Sequence, residues 1–120
     1  MKYRESEEMY LETIYILTQK SSNVRSVDVA NELGYSKASI SVAMKRLREK
    51  DYVNIDSSGI ISLTNSGKKV ALDIYERHHL LTAMFVHIGA DAALAEENAC
   101  RIEHVISADL VEIIRNHLHT

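Results

Sequence analysis

The 120-residue sequence contains no proline and no tryptophan, and it has only one cysteine and four glycines. A single cysteine cannot form an intramolecular disulfide, so the chain is not a disulfide-rich secreted domain and we expect it in a reducing cytoplasm. No apolar run approaches the roughly 18 residues of a membrane span, and the charged start MKYRESEEMY lacks the apolar region of a signal peptide. We therefore expect one globular domain, or one domain with a small appendage, and no membrane partner.

Charge is distributed unevenly along the chain, although the formal net charge is only −3. Residues 36–70 contain seven Lys/Arg and three Asp/Glu, a net charge of +4, whereas residues 71–120 contain three and eight, a net charge of −5. A basic segment can face phosphates, and an acidic segment can hold cations.

The spacing of apolar residues predicts three helices before residue 50. The first is expected to begin at an N-cap Ser6 and to end near Gln19, and the second to be capped by Ser26 and to stop at Gly34. The third is SKASISVAMKRLREK, which Ser36 would cap; its inward-facing residues are predicted to be Ile40, Val42, Ala43 and Leu47.

A short helix, a glycine turn and a second helix that starts with small polar residues and ends basic are typical of a helix-turn-helix. YVNID and GIISLT, joined by SSG, predict a β-hairpin directly after it, which makes the unit a winged helix. A long helix capped at Asn65 or Ser66 and ending at Gly89 should follow, and then the helices DAALAEENACRIEHVIS and ADLVEIIRNHL. The predicted fold is mainly α, with an N-terminal winged helix-turn-helix and its small β-hairpin wing in residues 1–70 and a helical domain in residues 71–120.

The helix-turn-helix, the Ser-rich start of its second helix and the basic segment together predict DNA binding; a solvated basic surface is the alternative. Side chains at the start of that helix can reach base edges or thymine methyl groups: Ser36, Lys37, Ala38, Ser39 and Ser41. Further basic and wing residues suit phosphate contacts: Arg25, Lys45, Arg46, Arg48, Ser57 and Ser58.

The stretch ENACRIEHVIS contains the only cysteine, Cys100, followed by Glu103 and His104. On a helix, positions i, i+3 and i+4 share a face, so a thiolate, a carboxylate and an imidazole can converge as ligands of a transition metal. A small core cysteine beside a solvated Glu-His edge is one alternative. A nucleophile and base of an enzyme is another, although no third orienting residue or oxyanion-hole motif is recognisable. A winged-helix regulator that senses redox state or a small molecule through Cys100 is the third.

SEEMYLETIYIL, the winged helix, ERHHLL and NACRIEHVIS, in this order, resemble the diphtheria toxin repressor and manganese transport regulator family of metal-activated repressors. The resemblance extends from the first helix to the end of the chain. It implies a metal-dependent DNA-binding transcriptional regulator that represses metal-uptake genes and is not an enzyme. It also implies that residues 71–120 form a metal-binding and dimerisation domain.

A homodimer on a double-stranded DNA operator is expected, because one recognition helix covers only a half-site. The apolar residues of the last two helices would form the dimer interface or its core: Leu94, Ile102, Val105, Ile106, Leu110, Ile113, Ile114 and Leu118.

The resemblance also implies a ligand set. Its principal metal site falls on Met9, Cys100, Glu103 and His104. Further ligand positions of the family fall on Glu12, His78 and Glu96; the last is a histidine in the iron branch, and Thr82 stands where that branch has a glutamate ligand. A core role for Met9 and a surface charge at Glu12 are the alternatives.

A thioether and a thiolate make the site softer and favour Fe²⁺, Co²⁺, Ni²⁺ or Zn²⁺ over Mn²⁺, which prefers oxygen ligands. We expect Fe²⁺ first and Mn²⁺ second. Members of the iron branch carry an additional SH3-like domain, which these 120 residues do not include.

Overall fold

The computed structural model describes residues 2–119, with side chains from Glu7 onward, and the chain divides into two compact units, residues 1–72 and 73–120. Six helices and one hairpin follow in the order α1 (Lys2–Lys20), α2 (Ser26–Leu33), α3 (Lys37–Glu49), β1 (Val53–Ile55), β2 (Ile61–Leu63), α4 (Asn65–His87), α5 (Ala92–Ile102) and α6 (Ala108–Leu118). This confirms the predicted mainly α fold with a small β-hairpin wing. None of the described helices is both long enough and apolar enough to span a membrane.

The core of the first unit lies between α1, α2 and α3. Its fully buried side chains include Leu11, Ile14, Val29, Ile40 and Leu47. The turn between α2 and α3 forms as predicted: Gly34 adopts a φ of 72°, and its N–H donates to the carbonyl of Ala30 at 2.9 Å. The Ser36 hydroxyl oxygen accepts from the N–H of Ser39 at 3.1 Å and caps α3.

The predicted N-caps of α1 and α2 are wrong. Helix α1 begins at Lys2, and Ser6 lies inside it, because the lysine, arginine and glutamate before Ser6 have good helix propensity. Helix α2 has Arg25, not Ser26, at its N-cap position. The Asp28 carboxylate, at the third helical position, accepts from the N–H of Arg25 at 2.9 Å, which is the bond from the helix back to its N-cap residue in a capping box.

Val42 does not face inward. It is 61% exposed, whereas Met44, which was not predicted as core, is 2% exposed. With 3.6 residues per turn, Val42 lies about 200° around the helix from Ile40, so both cannot point into one core.

The wing, residues 53–63, is an antiparallel hairpin in which Val53 pairs with Leu63 and Ile55 with Ile61. The Asp56 carboxylate accepts from the N–H groups of Ser58 and Ile60 at 2.8 and 3.0 Å, which fixes the turn.

The junction between the wing and α4 depends on Thr64. Its hydroxyl accepts from the N–H of Gly67 at 3.0 Å and donates to the carbonyl of Asp51 at 2.7 Å. Thr64 is therefore the N-cap of α4, and the predicted caps Asn65 and Ser66 are helical residues. Gly67 is buried against the wing: a Cβ there would lie 2.0 Å from the carbonyl oxygen of Tyr52.

In the second unit, α5 and α6 begin at the caps Asp91 and Ser107, whose side chains accept from the N–H groups of Leu94 and Leu110. Helix α4 ends at His87, and Gly89 has a φ of 114°, in agreement with the predicted stop. Helix α5 ends at Ile102 and not at Ser107, so the predicted helix is five residues too long at this end. The buried apolar residues of this unit are Ile74, Leu81, Ala95, Ala99 and Val111.

Candidate metal centre and DNA-binding surface

Glu103 is the most deeply buried charged residue that the structure describes, with 1% of its surface exposed. One carboxylate oxygen, Oε2, lies 2.7 Å from Nδ1 of His78, and the other, Oε1, lies 3.4 Å from Nε2 of His104. A buried carboxylate is costly unless charges or hydrogen-bond donors compensate it. The two imidazoles provide such compensation, and imidazole nitrogen with carboxylate oxygen is also a donor set for divalent transition metals.

Arg77 fixes the chain segment that contains Glu103 and His104. Its guanidinium donates to the carbonyl of Ile106 at 2.9 Å and lies 3.5 Å from the carbonyl of Glu103. Asp73, one turn earlier on α4, lies 3.2 Å from the same guanidinium. The Glu103 carbonyl lies at the C-cap position of α5 and the Ile106 carbonyl lies four residues beyond the helix, so Arg77 on α4 holds the junction that follows α5.

Sequence reasoning did not identify Arg77. An arginine beside the His-His pair of ERHHLL has no local feature that predicts a contact 29 residues further along the chain.

The end of α5 changes the predicted geometry of ENACRIEHVIS. Cys100 lies in the last helical turn and is exposed, Glu103 occupies the C-cap position, and His104 follows in a turn. The three residues therefore do not share one continuous helix.

The other predicted ligands have different degrees of exposure. Glu96 is exposed on α5; Met9 and Glu12 are half-buried on α1, which belongs to the first unit. The structure therefore joins His78, Glu103 and His104 by direct contacts. Among the described side chains, no group of three or more His, Cys, Asp and Glu is arranged around a common point for a metal ion.

A second ionic cluster connects α4 and α6. Arg115 pairs with Glu76 on α4 and with Glu112 on its own helix. The hydrogen bond that the Arg115 guanidinium donates to Glu76 is the largest of the effects that raise its pKa, and this group stays charged at any physiological pH.

The predicted DNA-binding residues are all exposed: Arg25, Ser36, Lys37, Ala38, Ser39, Ser41, Lys45, Arg46, Arg48, Ser57 and Ser58. Two of them also stabilise the fold. The Ser36 hydroxyl caps α3 and bonds to the Ser39 hydroxyl at 3.0 Å, and the Arg25 guanidinium donates to the carbonyl of Ser58 at 2.6 Å. Arg25 thus connects the start of α2 to the turn of the wing.

Tyr35 lies directly before the cap of α3 and is 44% exposed. Its ring packs edge-on against Tyr10 of α1, with centroids 6.2 Å apart. Burial raises the pKa of the Tyr10 hydroxyl; the neighbouring Tyr35 raises it further and Arg46 lowers it. This aromatic contact packs the residue before α3 against α1.

The second unit exposes several of the apolar residues that were predicted for a dimer interface. Leu94, Val105, Leu110 and Ile113 are 47–63% exposed, and Ile102, Ile106, Ile114 and Leu118 are half-buried. A cavity of about 170 Å³ beside Leu94 is also lined by Phe85, Ile88, Ala90, Ala95 and Asn98.

Two family models match successive parts of the chain. Residues 2–59 match the family described as "Iron dependent repressor, N-terminal DNA binding domain", and residues 64–120 match "Iron dependent repressor, metal binding and dimerisation domain".

Individual relatives include both iron- and manganese-dependent proteins. The chain is similar to the HTH-type transcriptional regulator MntR of Shouchella clausii, at 31% identity over 109 residues, covering 91% of this chain and 76% of that protein. It is 29% identical over 114 residues to the iron-dependent repressor IdeR of Mycobacterium tuberculosis, covering 91% of this chain and 50% of that protein. A solved structure of a manganese-dependent transcriptional repressor in complex with manganese superposes with a TM-score of 0.86 at 27% identity, covering 94% of this chain and 52% of that one. The chain thus spans about half the length of the last two relatives.

Proposed function

This chain belongs to the iron-dependent repressor family, the group of the diphtheria toxin repressor and the manganese transport regulator, and we propose that it represses metal-uptake genes when a divalent metal binds. The family consists of transcriptional repressors and not of enzymes, and regulation by metal-dependent DNA binding is its function. The family match supports metal sensing and gives no support to the alternative of a redox or small-molecule sensor.

The observation that most supports a metal centre in this chain is the buried carboxylate of Glu103 between two imidazoles. Each imidazole can give up its contact with the carboxylate and present a nitrogen lone pair to a cation. When bound, the divalent ion supplies the positive charge that a buried carboxylate requires. We propose His78, Glu103 and His104 as the central ligands.

The resemblance supplies the remaining proposed ligands: Met9, Glu12, Glu96 and Cys100. Cys100 and Met9 contribute sulfur donors, which favour Fe²⁺ over Mn²⁺, and Co²⁺, Ni²⁺ or Zn²⁺ can substitute. We propose Fe²⁺ as the activating ion, with Mn²⁺ as the second candidate, because the relatives include proteins named for each metal.

On the DNA side, we propose that the eleven exposed residues contact an operator through two copies of the chain in the cytoplasm. The exposed apolar residues of α5 and α6 support a homodimer, whose symmetry would match a two-part operator. Metal and DNA are then reciprocally coupled ligands: metal increases the affinity for operator, and operator increases the affinity for metal by the same factor.

Neighbouring histidines on α4 provide a matched test of the metal centre. His78 contacts the Glu103 carboxylate, whereas the exposed His79 packs its ring on Tyr75 with centroids 4.4 Å apart. His78→Ala should raise the metal concentration needed for operator binding at least about tenfold, as loss of a metal-site residue does, and His79→Ala should leave it nearly unchanged. Anaerobic metal titrations followed by fluorescence anisotropy of a labelled operator measure both. Equal behaviour of the two variants would refute the proposed ligand set, and tight operator binding by metal-free wild type would refute the function.

The choice of metal is tested by the double variant Met9→Asp, Cys100→Glu, which exchanges two sulfur donors for two oxygen donors. Mn²⁺ gains from charged oxygen ligands, so the ratio of activating concentrations should shift towards Mn²⁺ relative to Fe²⁺. The same anaerobic assay gives this ratio for both proteins. An unchanged ratio would show that the two residues are not ligands.

A further inference from the structure

Val42 is an apolar side chain in an unexpected place. It is 61% exposed in the middle of α3, on the side opposite the buried Ile40, Met44 and Leu47. A single exposed valine needs no explanation by itself. Its neighbours on the helix surface make it informative.

Residues three or four positions away on a helix lie beside each other. For Val42 these are Ala38 and Ser39 towards the start of the helix and Lys45 and Arg46 towards its end, all of them exposed. Small side chains on one side allow close approach to another surface, and two cations on the other side suit phosphates. The only acidic residue of α3 is Glu49, at its last position.

The chemistry of valine narrows what Val42 can contact in DNA. It has no hydrogen-bond donor or acceptor, and the only apolar group on a base edge in the major groove is the C5 methyl group of thymine. Against the polar edge of a G·C pair, valine would displace water without replacing its hydrogen bonds, which is unfavourable.

We propose that Val42 is a specificity-determining residue that packs on a thymine methyl group in each operator half-site, with Ala38 beside it. This inference rests on the proposed function, because it requires α3 to be the recognition helix. It predicts that one A·T pair per half-site is selected by apolar contact, independently of the serine and lysine side chains at the start of α3.

The test removes the methyl group alone. An operator obtained by binding-site selection with metal-loaded protein is resynthesised with deoxyuridine in place of each thymidine in turn. At one position per half-site, this change should weaken wild-type binding roughly fourfold, the effect of returning one methyl group to water. Val42→Ala should be insensitive to deoxyuridine at that position. Val27→Ala, a variant at another exposed valine on the neighbouring α2, should retain the wild-type response.

The outcomes separate this inference from the function on which it rests. If metal-dependent selection yields an operator but no thymidine position distinguishes wild type from Val42→Ala, the role of Val42 is refuted and the function stands. If metal-loaded protein selects no sequence at all, both are refuted.

Discussion

Replacing Gly67 with alanine tests the closest backbone approach in the first unit. The added Cβ would lie 2.0 Å from the carbonyl oxygen and 2.9 Å from the carbonyl carbon of Tyr52, and both are backbone atoms that cannot rotate away. Either the start of α4 or the backbone at Tyr52, directly before the wing, must therefore move by about 1.5 Å to reach a normal contact. The same carbonyl accepts from the N–H of Thr64 at 3.0 Å, so the movement also strains that hydrogen bond.

The expected loss follows from three contributions. Backbone displacement by overpacking costs about 1–3 kcal/mol, and a weakened hydrogen bond about 0.5–1.5 kcal/mol. Alanine regains up to about 1 kcal/mol over glycine in a helix. The free energy of unfolding should therefore fall by about 2 kcal/mol, which lowers the melting temperature by about 10 °C for a unit of this size.

Urea denaturation followed by circular dichroism measures this change. Ser66→Ala, at the exposed position before Gly67, is the matched control and should stay within about 0.5 kcal/mol of wild type. Because the wing also contributes proposed phosphate contacts, Gly67→Ala should weaken operator binding at temperatures where it is still folded. If Gly67→Ala is as stable as wild type, the approach of α4 to Tyr52 is wider than described and the reasoning is wrong.

Thr64→Ala should cost about 1–2 kcal/mol, because it removes the N-cap of α4 and the hydroxyl bonded to the Asp51 carbonyl; thermal melts should show Thr64→Ser to be much milder. Folding raises the pKa of the Tyr10 hydroxyl, so the folded state holds this proton more tightly than the unfolded state does. The free energy of unfolding should therefore be unaffected below a pH of about 10 and should decline as the pH rises above it. Tyr10→Phe should abolish that part of the decline in urea titrations at increasing pH; an unchanged decline would contradict it. Lys45→Ala should reduce the slope of log K against log salt by about one unit in anisotropy titrations, and an unaltered slope would exclude a phosphate contact there.

The elements of the fold were predictable where local chemistry determines them. Gly34 stops α2 because it reaches positive φ easily, and Ser36 caps α3 because its side chain accepts from a nearby N–H. The predicted caps of α2 and α4 are displaced by one or two residues, because Asp28 bonds back to the N–H of Arg25 at the start of α2 and the Thr64 hydroxyl, before Asn65 and Ser66, accepts from the N–H of Gly67.

The candidate metal centre was predictable in its residue types but not in its geometry. No glycine or proline marks the end of α5 at Ile102 in the sequence. The junction that follows α5 is held instead by Arg77, which lies on another helix. The contact of His78 with Glu103 likewise joins residues 25 positions apart, and no local pattern predicts it. The prediction that Val42 is buried is wrong because it rests on apolarity alone. The period of α3 places Val42 on the side of the helix opposite the core, where it is exposed.

The contacts of Arg77 also affect the dynamics of residues 103–107, the junction between α5 and α6. The Arg77 guanidinium contacts two carbonyls of this junction, those of Glu103 and Ile106, and His78 contacts the Glu103 carboxylate, so the junction can open when these few contacts with α4 break, while the α-helices on either side stay intact. If a metal ion binds Glu103 and His104 as proposed, it would favour the closed junction and add its binding free energy to the cost of opening. A higher concentration of the metal would then slow amide hydrogen exchange in residues 103–107, without a change in the amount of folded protein.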